Sequence, residues 1–356
     1  MSVTLQDKMR GCIAGCFLGS AMGAPTEHHP WRAIEDEYGF VTDFYPWTQP
    51  FPGHENYLFV AGTTEDGVER QKLMIAAIKE KGDRITAEDV KNSWVKNMNL
   101  KAPGTISLDF ELNLRAMADS GLPGADIGKY CDYAGLNSFA RACHPIGLIN
   151  AGNIKTAVED IYEVGQLYQV SNSRGLKWAC VTGVAIAAAT KPDATVDSVL
   201  GAVFDNCDHD EVVAEIEPHL NRTRKMEDIH QLREYFDSYY SLNGIQFCMA
   251  SANEVVTKGI CAFQMVKGVT KDAIIAGANI GRDCDCIAAV AAGISGALTG
   301  TSSIPQKWFD TVDYATSVNL FTSSQKRVLD YGDDVYFAFR NRIAKEKSYY
   351  NRMINA

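Results

Sequence analysis

Apolar residues recur at helical spacing through most of the chain. Residues 65–80, 86–97, 107–119, 155–169, 175–190, 194–206, 226–239, 250–266, 271–279, 285–298 and 333–347 each carry that period or a helix-forming composition. Strand-like alternation is scarce. Two stretches, "LKWACVTGVAIAAAT" at 176–190 and "IAAVAAGISGAL" at 287–298, are apolar on every side, and a helix of that kind in a water-soluble chain is enclosed by others. Near the N-terminus, "MRGCIAGCFLGSAMGAPTE" sets Gly11, Gly15, Gly19 and Gly23 four residues apart, which on a helix draws one stripe without side chains, suited to close packing. The pattern predicts an all-α protein: one large helical domain over residues 1–356, with central helices rich in small residues.

The main interruption is "YGFVTDFYPWTQPFPGHENYLFV" at 38–60, rich in aromatic rings and broken by three prolines. A connection of that length is either a lid over core surface or a pocket wall that stacks on a planar ligand.

Composition narrows the function classes. With 46% hydrophobic and 22% charged residues the chain is an ordinary globular protein, and a formal net charge of -10 argues against a nucleic-acid or membrane-surface partner. Lys8 and Arg10 ahead of an apolar run imitate a secretion signal, but the glycine stripe reads as a core helix too short to span a bilayer, so a cytoplasmic location is expected. The ten cysteines are dispersed without a C-x2-C pair, which fits small buried hydrophobes better than a structural zinc site. "NCDHDE" at 206–211 mixes possible metal ligands but reads as a solvated loop after a helix.

Chemistry is suggested where acids precede helices. In "GRDCDC", Asp283 and Asp285 are two apart, so an extended backbone would aim both the same way, just before a helix beginning near Cys286. Asp285 could be the N-cap and Asp283 a partner of the helix dipole, yet two like charges ahead of an uncharged buried helix call for a compensating cation or donors. Cys284 and Cys286 make a poor redox pair, since Arg282 is the nearest basic group in sequence. "AGTTEDGVERQ" offers a second acidic start, where Thr63 and Asp66 fit a capping box while Thr64 and Glu65 are left over. Hydroxyl and carboxylate oxygens from two helix starts suit a hard divalent cation such as Mg2+. Glu27 follows the glycine-striped helix directly, with His28 and His29 beside it.

Taken together, these pieces resemble the ADP-ribosylglycohydrolase family, of which the chain looks like a divergent member. The family's marks are G-x-x-x-G-D-A-x-G-x-P-x-E, T-D-D-T ahead of a long helix, M-R-x-x-P-x-G, and G-D-x-D-T before a small-residue helix. "GCFLGSAMGAPTE", "TTEDG", "FARACHPIGL" and "GRDCDC" follow that order over nearly the whole chain. The resemblance implies an all-α fold and a centre of two Mg2+ ions held by Thr64, Glu65, Asp66, Asp283, Asp285 and the position of Cys286. It also implies catalytic work for Glu27 and Asp283. Asn137, Ser138 and Arg141 would line the ribose or phosphate pocket, or simply hydrogen-bond their own loop, and His144 would be a pocket donor or, the favoured reading, a satisfied interior histidine. Four positions depart from the pattern: Ser20 for aspartate, Glu65 for aspartate, Gly67 for threonine and Cys286 for threonine. A longer ligand, a lost hydroxyl and a soft sulfur point to one metal site that is altered, empty or loaded with Mn2+ or Zn2+.

The activity implied is hydrolysis of an N- or O-glycosidic bond of an ADP-ribosylated protein side chain or a small ADP-ribosyl compound. Two other readings share the scaffold: a nucleoside-like N-glycoside hydrolase, and a non-catalytic crystallin-like or binding homologue. Four acids gathered at one place argue against the last. The oligomeric state leaves no mark on the sequence.

Overall fold

In chain order the helices are α1 (Leu5–Gly23), α2 (Trp31–Tyr38), α3 (Asp66–Lys81), α4 (Ala87–Asn97), α5 (Asp109–Asp119), α6 (Gly124–Ile127), α7 (His144–Ile149), α8 (Ile154–Gly165) and α9 (Arg174–Ala189). They continue with α10 (Val196–Asn206), α11 (Ala214–Thr223), α12 (Ile229–Phe236), α13 (Ala252–Met265), α14 (Thr270–Ala278), α15 (Cys284–Thr299), α16 (Gln306–Val318) and α17 (Val328–Ile354). The computed structural model describes residues 3–49, 57–99, 109–242 and 250–355. The all-α expectation holds: the strands among the described residues are β1 (Trp47–Gln49) and β2 (Tyr57–Phe59), paired antiparallel with Trp47 opposite Phe59.

The glycine stripe of α1 does what its spacing predicts. A β-carbon on Gly11 would fall 2.6 Å from the Gly296 carbonyl oxygen, one on Gly15 2.1 Å from that of Ala292, and one on Gly19 2.7 Å from that of Ala288. At the end of the stripe, Gly23 faces the Asp285 backbone at 2.5 Å. Two backbones therefore touch along more than three turns, a separation that larger residues forbid. Lys8 and Arg10 are built into the fold: Lys8 Nζ donates to the carbonyls of Ala189 (2.8 Å) and Lys191 (2.6 Å) at the end of α9, and Arg10 forms a two-pronged pair with Asp333 of α17. No helix among the described residues is long and apolar enough to cross a membrane.

One contiguous hydrophobic core runs from Met9 to Ala338, with α9, α14 and α15 packed around α1 and α13. Nine cysteines are buried and unpaired in or beside it; Cys248 lies outside the described residues, as do residues 107–108 of the helix expected at 107–119. Several helices escaped the period, the four-residue α6 among them. The short α2 buries only Trp31 and Ile34, α7 is six residues long, and α11 contains Pro218. "NCDHDE" is more ordered than a loop: Asp208 accepts from the Glu211 N–H and opens a helical turn over His209–Val213.

The aromatic stretch at 38–60 was expected to be loop throughout. Its described part instead makes the hairpin, with Trp47 stacked on Phe59 (centroids 4.5 Å apart) and both packed with Phe321 and Ala24 in a small separate cluster. Trp47 Nε1 donates to the Thr63 carbonyl at 3.3 Å, which anchors the chain leading into α3. Residues 50–56 lie outside the described residues.

Two buried histidines give the fold an acid limit. His144 is fully buried, and His219 sits among Tyr235, Phe236, Tyr239 and Tyr240; burial pushes each ring from the usual 6.5 to about 4. A depressed folded-state pKa means that the unfolded chain binds protons first. The stability they contribute is therefore present above pH 6.5 and is lost as pH falls toward 4, on the order of 3 kcal/mol for each ring. Urea midpoints measured from pH 7.5 to 4.5 are expected to fall with acid, and a flat profile would contradict these assignments.

Candidate functional site

Three chain turns meet at the end of the α1–α15 seam. The turn after α1 is pinned by the Thr26 hydroxyl, which donates to the carbonyls of Gly23 (3.0 Å) and Ala278 (2.9 Å). His28 N–H then donates to the Arg282 carbonyl at 2.9 Å, and Arg282 N–H returns a bond to the His29 carbonyl at 2.8 Å. This two-bond link joins the turn that carries Glu27 to the turn that carries Asp283. His28 (φ 70°) and Arg282 (φ 75°) are both left-handed, a conformation that costs a non-glycine residue on the order of 1–3 kcal/mol and persists only where surroundings hold it.

What holds Arg282 is a buried ion cluster that sequence reading missed. Glu254 of α13 accepts from Arg282 Nε at 2.7 Å and from Nη2 at 2.9 Å, and also from Lys258 Nζ at 2.6 Å. Lys258 also reaches the Gly281 carbonyl at 3.5 Å. The i,i+4 spacing of Glu254 and Lys258 was the only trace of it in the sequence. Arg282→Ala is expected to lower unfolding stability by about 2 kcal/mol, since it removes a charged two-pronged bond. Thermal or urea unfolding measures it, and an unchanged midpoint would show that the clamp does not hold the turn.

The acidic helix starts are arranged differently from expectation. α15 begins at Cys284, its N-cap is Asp283 without a side-chain cap bond, and Asp285 lies in the first turn. In α3 the capping box of Thr63 and Asp66 is not formed: the Thr63 hydroxyl donates to the Val60 carbonyl, and Glu65 is the N-cap, accepting from the Asp66 N–H at 3.0 Å. Ser20 accepts from the Glu65 N–H at 3.2 Å and so ties α1 to that start. Thr64 is buried at the same place.

Arg141 stands at the centre. Its Nη1 donates to Glu65 (3.1 Å), Asp285 (3.2 Å) and Cys286 Sγ (2.8 Å), and its Nη2 donates to Asp66. Asp66 also accepts from Arg70 at 2.7 Å. Burial opposes ionisation of Asp66, but Arg141 and Arg70 outweigh it and hold the carboxyl well below the usual range. Glu65, Asp283 and Glu27 move the other way: burial first, then neighbouring carboxylates, raise each well above normal. The Cys286 thiol is also pushed up by burial, with Arg141 opposing. A basic group does touch Cys286, contrary to the sequence expectation, yet the thiol stays protonated, so the redox reading remains poor.

Two of the expected pocket residues have partners inside the protein. His144 is a core residue, with Nε2 at 3.1 Å from the Ala289 carbonyl and Nδ1 near Gln71 and Cys16. Asn137 donates to Asp283 Oδ2 at 2.7 Å and thus orients an acid. Ser138 is buried. Arg141 is spent on the acids, and it also stands one place early: three residues separate it from Pro145, where M-R-x-x-P-x-G has two. One residue on a helical turn redirects a side chain by roughly 100°.

Several oxygens remain open to a ligand. Asp283 Oδ1 and Asp285 Oδ1 are buried and accept from no protein group. Ligand atoms of Asp283, Asp285 and Cys286 lie within 4.8 Å of one another, as do those of Glu27, Glu65 and Asp285. Glu27 forms the open side, its side chain 19% exposed and 3.5 Å from His28 Nε2.

Comparison with known proteins settles the kinship. The model of the ADP-ribosylglycohydrolase family matches residues 1–342. The chain belongs to the ADP-ribosylglycohydrolase family. An uncharacterized protein of Archaeoglobus fulgidus is 26% identical over 310 residues, covering 86% of this chain and 92% of that one. A solved structure described as an ADP-ribosylglycohydrolase-related protein complex superposes with a TM-score of 0.62 at 14% identity, over 95% of this chain and 98% of the other, and so shows the same fold. Membership in the ADP-ribosylglycohydrolase family supports a glycosyl-hydrolase kind of function. The family is typically metal-dependent, and the acids fit one divalent cation: two orphaned carboxylate oxygens need a positive partner. They do not fit two, because the guanidinium occupies the space between Glu65, Asp66 and Cys286.

Proposed function

We propose that this protein hydrolyses the glycosidic bond at the ribose anomeric carbon of an ADP-ribosylated side chain or a small ADP-ribosyl compound. The observation that carries this reading is Glu27: of the five clustered carboxylates its side chain is the most exposed, 19% against 10% for Asp66 and less for the others. Burial and the charges of Asp285 and Asp283 raise its carboxyl well above the usual range, which favours the protonated form that can donate to the departing atom. The carboxylate left behind accepts a proton from the attacking water. Asn137 fixes Asp283 so that its second oxygen faces an ion or a ribose hydroxyl. A divalent ion held by Asp283 and Asp285 would supply Lewis acidity and grip the ribose hydroxyls. His28, on the rim, adjoins the leaving-group side.

Calorimetric titration with ADP-ribose and chromatographic detection of ADP-ribose released from an ADP-ribosylated protein test the reading. Binding with release supports it. Turnover of a simple nucleoside without affinity for ADP-ribose would replace it by the nucleoside-type reaction, and the absence of any turnover with Mg2+, Mn2+ or Zn2+ would leave a binding homologue.

A further inference from the structure

We infer that the Arg141 guanidinium is a built-in cation that takes the place of one of two metal ions, so that the centre binds a single divalent ion between Asp283 and Asp285. The inference deepens the functional reading above, but metal binding is measured without substrate and so fails or stands independently of it.

Four observations converge. The guanidinium is buried and donates to Glu65, Asp66 and Asp285, carboxylates from two different helix starts, as a bridging ion would. Its path is cleared by Gly67: a β-carbon there would lie 3.0 Å from Arg141 Cδ, 3.0 Å from Nε and 3.1 Å from Nη1, so a threonine would crowd the arm along its length. Cys286 fits the same arrangement, since its sulfur takes a 2.8 Å hydrogen bond from Nη1, a role a thiol fills better than ligation of a hard cation. Finally, the unpartnered Oδ1 atoms of Asp283 and Asp285 lie buried in a cluster of five carboxyl groups and mark where a further cation is wanted. Gly67, Cys286, Glu65 and Arg141 thus form one coupled change.

Manganese is the probe. After chelation and dialysis, the full chain titrated with Mn2+ is expected to take up one ion, giving the six-line paramagnetic resonance of an isolated ion. Two ions, a spin-coupled pair, or no uptake would each overturn the inference. The combined variant Glu65→Asp, Gly67→Thr, Arg141→Met and Cys286→Thr is expected to bind two. If it folds and still binds one, Arg141 is not what excludes the second ion; if it does not fold, the stoichiometry and resonance of the unaltered chain decide alone.

Discussion

Glu27→Gln is expected to lower kcat for ribosyl hydrolysis by roughly 10²- to 10⁴-fold, the range spanned by removal of a positioned proton carrier. Glutamine keeps the shape of the side chain and its place beside His28 but holds no transferable proton. Stability should not fall with activity, because the change removes one of several carboxylates that raise each other's pKa: Glu27 is pushed up by Asp285 and Asp283, and Glu65 by Glu27 in turn. The expected signature is a steep loss in steady-state release of ADP-ribose, with an unfolding midpoint unchanged or higher. A variant that keeps more than about a tenth of its activity would remove Glu27 from the proton pathway.

The second large effect concerns the seam. Gly296→Ala would place a β-carbon 1.9 Å from the Gly11 carbonyl oxygen and 2.2 Å from its carbon, both backbone atoms of a helix enclosed on every side. Alanine is worth up to about 1 kcal/mol more than glycine within a helix, but overpacking against immovable backbone costs about 3 kcal/mol or more, so the clash wins. Gly201 of α10 is the internal control: nothing lies within 4 Å of its β-position, so Gly201→Ala should gain a few tenths to about 1 kcal/mol. Urea unfolding of the two variants should move in opposite directions. If Gly296→Ala unfolds like the unaltered chain, α1 and α15 are not in backbone contact.

Much of this was legible in the sequence, and the failures share a cause. The period of 3.6 found the long helices, and the Gly11–Gly23 stripe announced a helix against small residues, because burial and close approach write themselves into residue type at fixed spacing. The joint order of Glu27, Glu65–Asp66 and Asp283–Asp285 picked out acids that the fold brings together. What local spacing could not show is who competes for a group. Thr63 had the pattern of a cap, but its hydroxyl found the Val60 carbonyl, while Glu65 capped the helix and its N–H was held by Ser20 from α1. Arg141 looked like a pocket residue because its destination depends on the missing side chain of Gly67, far away in sequence. His144 likewise found its partners in Gln71 and Ala289, on two other helices.

The seam also bears on how such a protein can diversify. Glu27 leaves α1 just beyond Gly23, and Gly23 rests on the Asp285 backbone, so the spacing between these two carboxylates is a property of a rack of interlocked backbone teeth rather than of any loop. A slip along that rack must advance by a whole four-residue tooth, and there is no intermediate setting. Among the described residues, the hairpin packs against Ala24 at the end of the rack. The hairpin can therefore be exchanged or redesigned while the acid spacing stays fixed to the helix pair.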